Sequence, residues 1–133
     1  MYLLDTNILS LNFRGNPQVG NNLRNKSSFS LFLCSIVLSE AYFGIYNSPP
    51  AKESALVEYY DAISSSLTVL DFDLASAKIY SKLKFNLKKT GKTVQDFDLM
   101  IASICLANDL ILVTNNTKHF QNIPDLKLQD WTK

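Results

Sequence analysis

Histidine and cysteine are scarce in this chain of 133 residues, which holds a single histidine, His119, and two cysteines, Cys34 and Cys105. Structural and catalytic zinc sites take three or four such ligands, so no combination here makes one. The cysteines stand far apart, form no C-x-x-C pair and have apolar neighbours, among which a thiol acts as a small hydrophobe; both read as reduced core residues. Four glycines leave no G-x-G-x-x-G, no P-loop and no G-x-S-x-G. Dinucleotide binding, P-loop nucleotide hydrolysis and acyl transfer from a nucleophile elbow therefore lack their local geometry. Long apolar runs are missing too. Leu99–Leu106 and Leu110–Val113 fall short of the roughly 20 residues that cross a bilayer, so no membrane span is expected. The start has no basic stretch followed by a long apolar one, because an acid arrives at Asp5, and a cytoplasmic location is expected. A net charge of only +1 argues against blanket affinity for nucleic acid.

What the chain does have is apolar content, 47% of its residues, enough to bury the core of one globular domain spanning 1–133. Short apolar strands alternate with amphipathic helices, the signal for an α/β fold around a mostly parallel sheet. Strands are expected near Tyr2–Leu4, Leu31–Cys34, Thr68–Leu70, Leu110–Val113 and Lys127–Gln129. Asn16-Pro17 starts one helix, Ser35 is expected to cap another running to about Tyr46, and Pro49-Pro50 ends it. Further helices are expected from Lys52 to Ser64, from Asp73 through Ile79 and Leu87 to a stop at Gly91, and from Asp96 to Asn108. No linker, repeat or low-complexity segment interrupts the pattern.

Three acids lie in stretches otherwise built for burial: Asp5 at the end of the first strand, Glu40 in the helix after the second, and Asp98 in the first turn of its own helix. A carboxylate removed from water costs several kcal/mol unless it is paired, protonated or bound to a cation. In an open parallel sheet, ligands bind at the carboxyl ends of the strands, the edge that all three acids can reach together with Thr114-Asn115-Asn116. Magnesium takes oxygen ligands and keeps several waters, so two or three carboxylates and a substrate phosphate suit it, and the chemistry expected is phosphodiester hydrolysis. Lys78, Lys82, Lys84, Lys88, Lys89 and Lys92 follow one another with no acid among them, a local basic strip of the kind an acidic site needs nearby if it is to attract nucleic acid.

The opening LLDTN, the helix SIVLSEAYFG around Glu40, the segment DFDLMIAS with Asp98, and the block LVTNNTKHF with a Trp131-containing tail resemble, in order and spacing, PIN-domain ribonucleases of the VapC toxin type. The resemblance implies a three-layer α/β/α sandwich and an endoribonuclease using magnesium, or manganese in its place. It further implies a structured RNA substrate, commonly tRNA, a cognate VapB-like antitoxin and a homodimer. By the same resemblance Asp5, Glu40 and Asp98 match the acidic triad and Asn116 the fourth catalytic position, supported by Thr114, Thr6 and Asn7. Many relatives carry Asp where this chain has Asn116, and an acid is frequent where it has His119. An amide oxygen can hold an ion or its water but adds no charge. Asp96 is read as a helix cap or an outer group of the site. RNA contacts are assigned to Arg14, Arg24, Lys26, Lys82, Lys88, Lys89 and Lys92, and the apolar helix Ile36–Tyr46 and the segment after Pro50 are candidate contact surfaces for the dimer or the antitoxin.

Each residue also has a plainer reading. Asp5 can cap a helix starting at Thr6 or Asn7, Asp98 can sit at the positive end of its helix, and Glu40 can lie on a solvated stripe with Gly44 and Asn47. Asn116 can be a turn residue, His119 a surface loop residue, and the lysines a solvated helix face. As alternatives for the whole, a catalytically silent PIN-like domain would bind RNA or protein with the same acids. A phosphatase with an aspartyl nucleophile would need a second Asp where Asn7 stands.

Overall fold

The apolar runs become five short strands in the computed structural model, which describes residues 1–133: β1 (Tyr2–Leu4), β2 (Leu31–Cys34), β3 (Thr68–Leu70), β4 (Ile111–Val113) and β5 (Leu128–Gln129). They form one sheet in the order β3-β2-β1-β4-β5, and every pairing is parallel. Leu3, Leu4, Leu33, Leu112 and Val113 are all at 0% exposure. Consecutive buried residues in one strand mean that both faces of the sheet are covered, as all-parallel sheets require.

The cover is seven helices: α1 (Thr6–Phe13), α2 (Pro17–Arg24), α3 (Ser35–Tyr46), α4 (Glu53–Ser66), α5 (Leu74–Lys89), α6 (Asp96–Ala107) and the short α7 (Thr117–Phe120). The chain moves from β1 out to β3, then returns past β1 to β4. Right-handed crossovers therefore put α1 to α4 on one face and α5 with α6 on the other, giving the three layers. Leu99, Ile101, Ala102, Ile104 and Cys105 bury most of α6 in the core. Helix α3 buries Val37, Ala41 and Ile45 and leaves Phe43 and Tyr46 exposed.

Local chemistry sets the helix starts. Asn16 caps α2 by accepting from the Val19 N–H at 3.0 Å, with Pro17 in the first turn. Asp73 caps α5 by accepting from the Ser76 N–H at 2.9 Å and its hydroxyl at 2.7 Å. Two expected caps move by one residue: Cys34, not Ser35, precedes α3, with its sulfur 3.5 Å from the Val37 N–H, and Gln95, not Asp96, precedes α6. Both cysteines are buried and free, as expected, and burial pushes the Cys34 thiol up to about 12. No helix is long and apolar enough to cross a membrane.

The order of strands creates a switch point between β1 and β4, because the connections leaving these two neighbours run to opposite sides. Crevices for ligands open outside the carboxyl ends of strands at such a point. Asp5 follows β1 and Thr114 follows β4.

Candidate active site

Asp5 is fixed on both sides. Its backbone N–H donates to the Val113 carbonyl at 2.9 Å, tying the end of β1 to β4. Its Oδ1 accepts from the Thr6 N–H at 2.8 Å, so it does cap α1, while Oδ2 accepts from the Thr114 hydroxyl at 2.9 Å and from Asn7 Nδ2 at 3.3 Å. Capping and a role in the cleft are thus not rivals here. The Thr114 hydroxyl also accepts from Asn7 Nδ2 at 3.2 Å and the Asn116 N–H at 3.1 Å. Asn7 Oδ1 in turn accepts from the Asn115 N–H at 3.2 Å. The two strand ends are stitched by the polar residues that follow them.

Glu40 projects from α3 to the same place, where its Oε1 lies 3.3 Å from the Thr6 hydroxyl. Asp98 enters from the first turn of α6, with Oδ2 3.5 Å from Nδ1 of His119. Together with Ser10, Gln95 and Asn116, these side chains line a cleft of about 320 Å³ that no apolar residue lines. His119 is the only base in that lining.

Burial raises the Asp5 carboxyl above its ordinary value, against the opposing pull of its Thr114 and Thr6 hydrogen bonds, and the charge of Asp98 raises it further. Burial also raises Glu40, helped by the charges of Asp5 and Asp98. Asp98 is raised by burial and held back by His119. All three carboxyls are therefore less comfortable as anions than they would be in water, chiefly because they are buried and, for Asp5 and Glu40, also because of the neighbouring charges.

Such a cleft fits a hard cation. Apart from the His119 imidazole, the donor set is oxygen, with three carboxylates, hydroxyls and amide carbonyls. No three acidic, histidine or cysteine side chains are gathered tightly enough to be a ready-made cage. A magnesium ion does not require such a cage, since it is usually held by one or two carboxylates, its own waters and a substrate phosphate rather than by an all-protein shell.

A PIN-domain family model matches residues 2–126. The chain belongs to the PIN-domain family. This PIN domain is similar over its length to the tRNA(fMet)-specific endonuclease VapC of Shigella flexneri, with 31% identity covering 98% of each chain. It is 33% identical to ribonuclease VapC2 of Rickettsia felis, across 100% of this chain and 99% of the relative. Among solved structures, a chain of VapBC2 from Rickettsia felis, bound to a DNA fragment from its promoter, superposes with a TM-score of 0.88 at 32% identity, covering 98% of both chains.

Of the residues read from the sequence, this PIN domain brings Asp5, Thr6, Asn7, Glu40, Asp98 and Asn116 into the cleft lining, with Thr114 buried behind Asp5. Asp96 is not among them: its Oδ1 takes the Tyr80 hydroxyl at 2.7 Å and Lys84 Nζ at 2.8 Å on the other side of the α6 first turn. His119 is no loop residue but lies in α7 facing Asp98. Lys26 sits over the rings of Trp131, at 4.5 Å, and Tyr2, the first residue of β1, away from the strand end that carries Asp5. Arg14 folds back on the Ser10 carbonyl and Arg24 lies against Gly20, and neither lines the cleft. Ser10 and Gln95 were missed. A helix placed from Thr6 would have put Ser10 one turn after it, on the same face, whereas nothing in the sequence singles out Gln95.

Proposed function

We propose that this chain is a VapC-type toxin: a magnesium-dependent endoribonuclease that cuts phosphodiester bonds of structured RNA, with tRNA as substrate. The observation that carries this reading is the meeting of Asp5, Glu40 and Asp98, from three separate elements, in one cleft whose only base is His119. Holding three partly buried carboxyls together is unfavourable unless a cation completes them. The names of the relatives from Shigella flexneri and Rickettsia felis support RNA cleavage, and the first of them supports tRNA as its target. A VapB-like antitoxin is the matching partner, since the similar Rickettsia felis chain was solved as VapBC2, and an Arg or Lys from it has an acidic cleft to enter.

In this reading Asp5, Glu40 and Asp98 would hold the ion, with Asn116 as a further oxygen donor in the lining of the cleft. When bound, a divalent ion would supply positive charge at the phosphodiester and would lower the pKa of a nearby water. The protein's own part is orientation. Thr6 and Thr114 each have a hydroxyl on one carboxylate, so Asp5 and Glu40 are positioned before substrate arrives. His119 partners Asp98 from the exposed side and keeps a base at the mouth of the cleft.

The test is cleavage of total tRNA by the wild-type protein, Asp5→Asn and Asp98→Asn, each with magnesium and with a chelator. Discrete fragments from wild type with metal only, and a loss of at least about 100-fold in both variants, are expected for ligands of a catalytic ion. Cutting that persists in both variants overturns the assignment. Binding of tRNA without cutting by wild type moves the protein to the silent binding module, and a phosphoenzyme at Asp5 moves it to the phosphatases.

A further inference from the structure

The lysines after Asp73 are not one strip. Lys84 and Lys88, one turn apart on α5, line a second cavity of about 310 Å³ with Lys92, Thr93, Val94, Gln95 and Asp96, floored by the buried Leu87 and Leu99. Lys82, Phe85 and Lys89 follow the i, i+3, i+7 spacing of a different face of α5, and Lys89 Nζ lies over the Phe85 ring at 5.3 Å. The cavity therefore collects three of the lysines and excludes the rest.

Its charge is unbalanced. Asp96 is the one acid in the lining, and Lys84 already holds it at 2.8 Å. Lys88 and Lys92 are exposed and make no ion pair. The cavity also adjoins the acidic cleft, because Gln95 lines both. The first turn of α6 is the ridge between them: Asp96 turns toward Lys84 on one side and Asp98 toward His119 on the other. The Gln95 side chain makes no capping hydrogen bond, so it is free to face either cavity.

Charge decides what such a pair of cavities can take. The acidic cleft contains no lysine or arginine, so a polyanion arriving there needs its positive counterpart from the next cavity along. A volume of about 310 Å³ lies near the lower end of small-ligand sites, which run from roughly 300 to 1,000 Å³. We propose that the cavity formed by Lys84, Lys88, Lys92 and Gln95 binds a phosphodiester of the RNA strand flanking the bond that is cut. This rests on the ribonuclease reading and adds to it a path: the strand crosses the α6 ridge at Gln95, with its flanking phosphate on Lys88 and Lys92.

The experiment measures binding of fluorescently labelled bulk tRNA to the full chain in a chelator, where nothing is cut, between about 50 and 200 mM salt. Three proteins are compared: wild type, the double variant K88A/K92A and, as a control of equal charge change in the C-terminal segment, the double variant K127A/K133A. Each lysine–phosphate contact contributes about 0.7–0.9 to the slope of log K against log salt, so K88A/K92A flattens that slope by about 1.4–1.8 and weakens binding several-fold. K127A/K133A leaves the slope close to wild type. Cleavage with magnesium, measured on the same preparations, shows a raised KM and a nearly unchanged kcat for K88A/K92A. Equal flattening by both double variants, or none by K88A/K92A, overturns the cavity as a phosphate site even where wild type cuts tRNA. A wild type that neither binds nor cuts tRNA overturns the ribonuclease reading and this proposal with it.

Discussion

One buried hydroxyl holds the floor of the cleft. Thr114 donates to Asp5 and accepts from Asn7 and the Asn116 backbone, so it fixes the main carboxylate and the turn that presents Asn116 at once. Thr114→Val removes a donor from the buried Asp5 carboxylate and the acceptor of the Asn116 N–H, while Asn7 Nδ2 keeps Asp5, which costs about 1–3 kcal/mol of stability. Loss of such an orienting partner lowers metal affinity or activity by about 10–100-fold. Thr114→Ser, which keeps the hydroxyl, is expected to retain most of the cleavage. Equal losses for Val and Ser in a tRNA cleavage assay, at matched folded fraction, would show that the methyl and not the hydroxyl matters. The three acids were legible in the sequence because a carboxylate beside Leu, Ile or Phe needs a reason to be there. Gln95 and Ser10 carry no such signal, being uncharged residues of ordinary polarity. His119 was misplaced because a helix of four residues is too short to show a period.

At the scale of elements, the turn between α5 and α6 decides how the two cavities meet. Gly91 ends α5 with φ +70°, in the left-handed region, and a Cβ added there would touch nothing within 4 Å. Gly91→Ala therefore meets no clash, only the backbone penalty of about 1–2 kcal/mol, read as a lower Tm in thermal denaturation. An unchanged Tm would mean that the turn relaxes freely. That stop at Gly91 was visible in the sequence, as were β1 to β4 within a residue of their ends, since buried parallel strands are unbroken apolar runs bounded by polar residues. The wholly parallel order was less visible, because which strands are neighbours depends on crossovers that no single segment encodes. The caps at Cys34 and Gln95 escaped because neither residue type is a preferred cap. The lysines looked continuous in sequence, and only the helical turn separates Lys84 and Lys88 from Lys82 and Lys89.

For the whole molecule, the three acids of the cleft are a cost to stability that a bound cation would offset on the proposed reading. Asp5, Glu40 and Asp98 all have raised carboxyl pKa values in the folded state, from ordinary values of 3.8, 4.5 and 3.8. Between those ordinary values and the raised ones, the folded protein binds more protons than the unfolded chain, so stability falls as pH rises through that window. Asp73 and Asp96 act in the opposite sense. Both are lowered, the first by its Ser76 hydrogen bonds and the second by Lys84, and what they contribute is lost as pH falls toward their depressed values. The metal-free protein should thus have its highest Tm in mild acid, and lose stability on going up to neutral pH and on going down into strong acid. Magnesium at neutral pH supplies the charge that protons supply in mild acid, so it should raise Tm and flatten that neutral-side slope, by RT ln(1 + [L]/Kd) in free energy. Asp98→Asn removes one of the charges that raise Asp5 and Glu40, so without metal it should be at least as stable as wild type at neutral pH, with a weaker response to magnesium. Calorimetry of both proteins across this pH range, with and without magnesium, checks every step. A wild-type Tm that climbs steadily from mild acid to neutral pH, or that ignores magnesium at neutral pH, would mean that the three acids are already compensated within the chain and that the cleft has no need of a cation.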